Sequence, residues 1–197
     1  MEINKVAVIG GGTMGSGIAE VCAKAGLDTI VMEAEPAAAE AAQKRIGSSL
    51  DKAVAKGRLE EKDRETAAGL LTYTTDINAL SDRDLVVEAI IENESIKLDL
   101  FKRIDEIAPE HCILASNTSS IPLINIAMAT KRPDKVLGLH FFNPATVQKL
   151  VEIVVSIATD ADVVASCETF ARDVLGKETI RSQDRCLLYT SPSPRDS

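Results

Sequence analysis

The stretch Val6-Ala-Val-Ile-Gly10-Gly-Gly12-Thr-Met-Gly15-Ser-Gly17 decides the fold. A short, β-branched, almost wholly apolar run breaks into glycines and is followed at once by a helical pattern from Met14 to Ala25. Such a run fits a central strand covered on both faces. The spacing Gly10-x-Gly12-x-x-Gly15 imposes three steric roles: the first glycine makes the turn, the second lets the backbone approach a pyrophosphate, and the third lets helix pack against strand. The unpaired N–H groups opening the helix attract the anion, so Gly10, Gly12, Thr13, Met14 and Gly15 are the expected cofactor loop. Glycine-rich turns also arise for steric reasons alone, and the surroundings have to carry the argument. Here a second apolar run, Thr29 to Met32, ends at Glu33, at the spacing where a carboxylate accepts the hydroxyls of an adenosine ribose. That role is preferred over a solvated strand end. A carboxylate there repels the 2′-phosphate of NADP, so NAD is expected; Lys44 and Arg45, on the following helix, read as solvated and leave NADP open.

Further along, apolar runs keep alternating with helical patterns: Ala37 to Lys56, Leu85 to Ile91, Ile96 to Ile107, and Cys112 to Ala115. Strand, helix, strand in that order means parallel pairing with crossover helices, a doubly wound α/β sheet. After Pro122 come a short helical piece to Met128, a strand Val136 to Phe141 and a Val/Ile-rich run Leu150 to Val155. A helix is expected from an Asp160 cap to Leu175, stopped by Gly176.

The 197 residues are 45% hydrophobic and 26% charged, which excludes disorder and fibre. Thirty acidic against 22 basic residues give a net charge of -8, and aromatic content is 3% without Trp, so nucleic acid is an unfavourable partner. Cys22, Cys112, Cys167 and Cys186 are widely spaced, with no metal-ligand pattern, and read as small apolar residues in a reducing compartment. No run approaches the roughly 20 apolar residues of a membrane span and no leader is evident, so no membrane role and a cytoplasmic location are expected.

The chain holds two histidines. His111 follows Pro109-Glu110 in a polar connection and reads as an exposed loop residue. His140 closes the strand Val136-Leu-Gly-Leu-His140, at the carboxyl end where α/β sheets hold ligands, although position alone allows a structural role equally well. Glu152 lies inside the apolar run Leu150-Val-Glu152-Ile-Val-Val. A buried carboxylate needs a partner, and an imidazole is the one that makes chemical sense: the carboxylate fixes its tautomer and supports the imidazolium.

Five motifs in order carry a resemblance: Gly10 to Ala19, Asp84-Leu-Val-Val-Glu-Ala89, Ala115-Ser-Asn-Thr-Ser-Ser-Ile-Pro122, Gly138-Leu-His-Phe-Phe-Asn-Pro144, and Gly176 to Arg185. Together they resemble the N-terminal domain of the L-3-hydroxyacyl-CoA dehydrogenase family, particularly its bacterial branch acting on 3-hydroxybutyryl-CoA. The resemblance implies a Rossmann-type NAD-binding domain over 1–185 and hydride transfer at C3 of a short-chain acyl-CoA. It also implies that His140 is the general base, that Glu152 orients it, and that Ser119 and Asn143 hold the substrate oxygen. It places Glu92, Lys97 and Asn117 at the cofactor, and coenzyme A against Ser49 and Lys56. A solvated Glu92–Lys97 pair and a solvent-facing Lys56 are the plain alternatives.

Two departures stand out. Pro144-Ala-Thr-Val-Gln148 replaces the usual Pro-Val-Pro-Val-Met of the family. Past Asp184-Arg185 the family continues with Gly-Phe-Val-Val-Asn and an all-helical domain that supplies a wall of the cleft and a homodimer interface. Here Cys186 to Asp196 instead read as the translation of a transposase adapter, so 186–197 is expected to be a non-native tail. A polypeptide ending at Ser197 is then expected to bind NAD with little turnover. A dehydrogenase of free hydroxy acids on the same scaffold, and a non-catalytic NAD-binding fragment, remain the alternatives.

Overall fold

The computed structural model describes residues 2–184; the expected tail 186–197, with Cys186, lies outside the described residues. Eight strands form a single sheet in the order β3-β2-β1-β4-β5-β6-β7-β8. They are β1 (Lys5–Ile9), β2 (Asp28–Met32), β3 (Leu71–Thr74), β4 (Leu85–Glu88), β5 (Ile113–Ser116), β6 (Val136–Phe141), β7 (Leu150–Val155) and β8 (Glu178–Gln183). The strands from β3 through β6 are all parallel; β7 is antiparallel to β6, and β8 runs parallel to β7. The helices are α1 (Thr13–Lys24), α2 (Pro36–Ala55), α3 (Glu61–Gly69), α4 (Glu94–Ile107), α5 (Leu123–Met128) and α6 (Ala161–Thr169).

Period-two alternation splits the strands between two cores. Val6 and Val8 of β1 face one layer with Ile18 and Cys22 of α1, Ile46 and Leu50 of α2, and Cys167 of α6. Ala7 and Ile9 face the other, with Phe101 and Ile104 of α4 and Ile126 of α5. Both faces of the sheet are therefore covered, which is why its central strands read as unbroken apolar runs.

The carboxyl ends of β1, β4, β5 and β6 lie side by side, and the chain winds to opposite directions on the two sides of β1. A crevice opens at such a switch point. The helix expected from Asp160 to Leu175 is α6 capped by the Asp160 carboxylate, which accepts from Asp162 N, and continued by a π-helical turn, Phe170–Val174. Gly176 stops it at φ +64°.

Candidate active site

The glycine turn is sterically tight. A Cβ on Gly15 would sit 1.7 Å from the Gly10 carbonyl oxygen, and Gly10 itself lies at φ +95°. Gly12, by contrast, has nothing within 4 Å of where its Cβ would be, and it opens α1 with no side-chain cap and no acidic residue in the first turn. The loop thus leaves room and free N–H groups where a phosphate group would lie. Beside it a cavity of about 430 Å³ is lined by the apolar Ile9, Met32, Ile90 and Leu100 together with the charged Glu33, Asp99 and Arg103. These features fit a dinucleotide.

Glu33 is tied into this loop, its Oε1 accepting from Gly11 N at 2.5 Å. Arg45 corrects the expectation that it is merely solvated. Its guanidinium reaches back from α2 to donate to the Gly11 carbonyl, and lies 3.4 Å from Ser16 Oγ. The sequence shows Arg45 one helical turn past Ala42, the residue packed on Gly11; its long stem then bridges the remaining distance.

The expected pair Glu92 and Lys97 is not a solvated one. Lys97 is 1% exposed. Its Nζ lies 2.7 Å from Glu88 Oε1 and 3.1 Å from Glu92 Oε2. Glu88, wholly buried, went unassigned in the sequence reading, although a carboxylate ending the apolar run Leu85-Val-Val is the same signal that exposed Glu152. Its Oε1 also accepts from Ile90 N at 2.7 Å, and its Oε2 accepts from Ser116 Oγ at 2.7 Å. Burial pushes the Glu92 carboxyl up, but the Thr118 hydroxyl, the Lys97 ammonium and Ser120 outweigh it and hold the group below its usual range.

His140 ends β6 and lies directly opposite Glu152 in the antiparallel register with β7. His140 Nδ1 is 3.0 Å from Glu152 Oε2, and Glu152 is wholly buried. An Nδ1–H donating to that carboxylate leaves the Nε2 lone pair available. The imidazole borders a cavity of about 540 Å³ together with Met14, Asn117, Ser119, Phe142 and Asn143. Asn117 Oδ1 accepts from Phe141 N at 2.8 Å, so Asn117 also fixes the end of the strand that carries His140. His111 lies elsewhere, half-exposed, with Nε2 3.2 Å from Asp84 Oδ1.

From Asn143 a groove runs between α1, α2 and residues 143–147. Ser49, Glu20 and Thr146 line both a hollow of about 180 Å³ next to Asn143 and a second of about 230 Å³ that Lys24, Lys56 and Arg58 surround. Ser49 and Lys56 are thus brought together, with three further cations, Lys24, Lys52 and Arg58, around the same hollow. Burial pushes the Glu20 carboxyl up, partly offset by the Ser49 hydroxyl and Lys24. Beneath the groove Lys177 Nζ donates to the carbonyls of Ala145 and Gln148, each at 2.7 Å, pinning the segment that departs from the family pattern.

The sequence profile described as "3-hydroxyacyl-CoA dehydrogenase, NAD binding domain" matches residues 5–185. The chain belongs to this family. It is 50% identical over 184 residues to a 3-hydroxybutyryl-CoA dehydrogenase of Mycobacterium tuberculosis, covering 93% of this chain and 64% of that protein. Among solved structures, M. tuberculosis FadB2 superposes with a TM-score of 0.94 at 48% identity, over 96% of this chain and 67% of the other. The (S)-3-hydroxybutyryl-CoA dehydrogenase PaaH1 of Ralstonia eutropha superposes with a TM-score of 0.90 at 37% identity, over 93% and 64%. The chain therefore spans somewhat under two thirds of the length of the curated relative it matches.

The family's dinucleotide-binding region is present in the fold, and its glycine loop fits NAD. Among the described residues no group of His, Cys, Asp and Glu could hold a metal ion, and no helix is long and apolar enough to cross a membrane.

Proposed function

We propose that this protein transfers hydride between NAD(H) and C3 of a short-chain (S)-3-hydroxyacyl-CoA, with 3-hydroxybutyryl-CoA and acetoacetyl-CoA as the pair. The observation that carries the reading is the His140–Glu152 pair opening onto a cavity shared with Met14 of the glycine loop.

Oxidising a secondary alcohol by hydride loss leaves one proton to remove, and NAD, when bound, supplies the hydride acceptor. His140 Nε2 takes that proton from the C3 hydroxyl; in the reverse direction the imidazolium returns it. A base so placed contributes about 10²–10⁴-fold. Glu152 is a positioning residue: it keeps the proton of the neutral ring on Nδ1 and stabilises the cation that forms. Ser119 and Asn143 line the same cavity as His140, and in this reading their hydroxyl and amide hold the C3 oxygen. Glu33 takes the adenosine ribose, and Asn117 borders the nicotinamide end. The coenzyme A tail lies along the groove to Ser49 and Lys56, and Lys24 and Arg58 add positive charge suited to its phosphates.

A cytoplasmic location belongs to the same reading, supported by three buried, unpaired cysteines. Assembly as a homodimer is proposed from the family resemblance.

The test is NADH oxidation by the full-length protein with acetoacetyl-CoA and, separately, with free acetoacetate. A clear preference for the thioester is expected. Equal rates would point to a dehydrogenase of free acids, and NADH binding without turnover on either would leave only a nucleotide-binding module.

A further inference from the structure

We infer that Glu88, Lys97 and Glu92 act as one positioning device that fixes Ser119 relative to His140. The inference rests on the proposed role of Ser119 at the substrate oxygen. It goes beyond that role by naming what holds the serine in place.

The two oxygens of Glu92 divide their work. Oε2 faces Lys97 Nζ, while Oε1 accepts from Ser119 N at 3.2 Å, Ser120 N at 3.3 Å, Ser120 Oγ at 2.9 Å and the Thr118 hydroxyl. Lys97 thereby turns the carboxylate toward the loop. Glu88 grips the same loop from the other side, since Ser116 Oγ donates to Glu88 Oε2 and accepts from Thr118 N at 3.2 Å. Residues 118–120 are thus held between two carboxylates, with one ammonium joining the two.

The same glutamate reaches the base. The Glu88 carbonyl accepts from Asn117 N at 2.8 Å, and Asn117 Oδ1 accepts from Phe141 N at 2.8 Å, the residue after His140. One strand end, Glu88, therefore references both sides of the cavity: through its side chain the serine loop, through its main chain the end of β6.

A purely structural role would be a poor use of these groups. Burying the Glu88 carboxylate and the Lys97 ammonium costs more in desolvation than such pairing returns in many proteins, and an apolar pair of similar volume often serves stability as well. What apolar side chains cannot do is orient a carboxylate toward four loop donors.

The experiment compares Glu88→Gln, Lys97→Met and the double variant in the full chain, by hydrogen exchange at the amides of 118–121 alongside the denaturant midpoint. Lys97→Met leaves the buried Glu88 charge without a cation and Glu88→Gln leaves Lys97 with Glu92 alone, so each is expected to lower the midpoint. The double variant removes both charges and should recover much of the midpoint, while its loop amides still exchange about tenfold faster than in the wild type or more, as expected for losing a hydrogen bond to a charged acceptor. Recovery of both would overturn the proposal, as would wild-type loop amides that show no protection. If the double variant does not fold, Glu92→Gln decides: exchange at 118–121 accelerated beyond what its lower midpoint produces at amides elsewhere supports the device, and an unchanged loop refutes it. In the full-length protein the same loosening should lower kcat about tenfold or more. Should the wild type show no turnover, the dehydrogenase reading falls and the exchange data still decide the positioning claim.

Discussion

His140 and Glu152 are register partners in the β6–β7 ladder, and it is the backbone pairing that brings Nδ1 within 3.0 Å of Oε2. Directly opposed residues on an antiparallel pair have Cβ atoms about 4.5–5.5 Å apart, which leaves these two side chains little freedom to separate. The ring is aimed before any ligand arrives.

Replacing His140 by Gln is expected to lower turnover by about 10²–10⁴-fold and to leave NADH affinity within a factor of a few. Glu152→Gln keeps the shape but loses the charge and the fixed tautomer, and should cost on the order of 10²-fold. Steady-state rates with acetoacetyl-CoA and NADH fluorescence titrations separate the two effects. Loss of NADH binding in His140→Gln would contradict the assignment.

Cofactor choice should follow Glu33. Its carboxylate, bonded to Gly11 N, stands where a 2′-phosphate would be repelled. NADH is expected to bind about tenfold tighter than NADPH or better, and Glu33→Ser should narrow that ratio, because the Arg45 guanidinium on the same glycine turn is then the nearest charge. A titration in which NADPH binds the wild type as tightly as NADH would remove the ribose role from Glu33.

Two glycines give opposite expectations. Gly15→Ala pushes a methyl into the Gly10 carbonyl and should cost more than the about 1–3 kcal/mol of ordinary overpacking, abolishing NADH binding. Gly47, inside α2 with open space around its missing Cβ, should tolerate Ala and gain about 0.5–1 kcal/mol. Thermal unfolding of both variants checks the pair; a destabilised Gly47→Ala would refute the second half.

The acid-range behaviour has two signs. Glu92 is held below its usual range, so its contribution is present above the unfolded carboxylate pKa and is lost as pH falls through the folded one. Glu20 is pushed up by burial, so its contribution is present at low pH and lost as pH rises through its folded pKa. Denaturant midpoints from about pH 4 to pH 8 should therefore find Glu20→Gln more stable than wild type at the upper end and Glu92→Gln less stable, the differences shrinking toward acid. Parallel curves for all three proteins would exclude both assignments.

Burial pushes the thiols of Cys22, Cys112 and Cys167 up to about 12. Native alkylation at about pH 8 should leave all three unmodified, and the same peptides should label fully once the chain is unfolded. Native labelling at any of them, read by peptide mass mapping, would place that thiol outside the core.

Legibility in the sequence followed burial. The strands β1, β4, β5, β6 and β7 are buried on both faces and announced themselves as apolar runs. Helix α3 buries only Ala67 and carries Glu-Lys-Asp-Arg-Glu at its start, so no apolar stripe marked it. The edge strands β3 and β8 are largely half-buried or exposed, and Glu178-Thr-Ile-Arg-Ser-Gln183 shows no strand-like alternation of apolar residues. At the site, the glycine turn and the contact between His140 and Glu152 were legible from motif and from a lone carboxylate in an apolar run. Other contacts carry no such signal: Ser116 meets Glu88 through strand pairing, Arg45 reaches the glycine turn by the length of its stem, and Lys177 secures carbonyls 29 and 32 positions away.

The antiparallel turn of the chain between β6 and β7 separates two kinds of change. Residues 142–149 leave the sheet at one member of the His140–Glu152 pair and return just before the other, carrying Asn143 and the atypical Ala145-Thr-Val-Gln148 between them. Substitutions at 144–147 alter the lining of the groove beside Ser49 without shifting the ladder that pairs His140 with Glu152. A lineage could therefore remodel that groove, step by step, with the His140–Glu152 pair inherited intact.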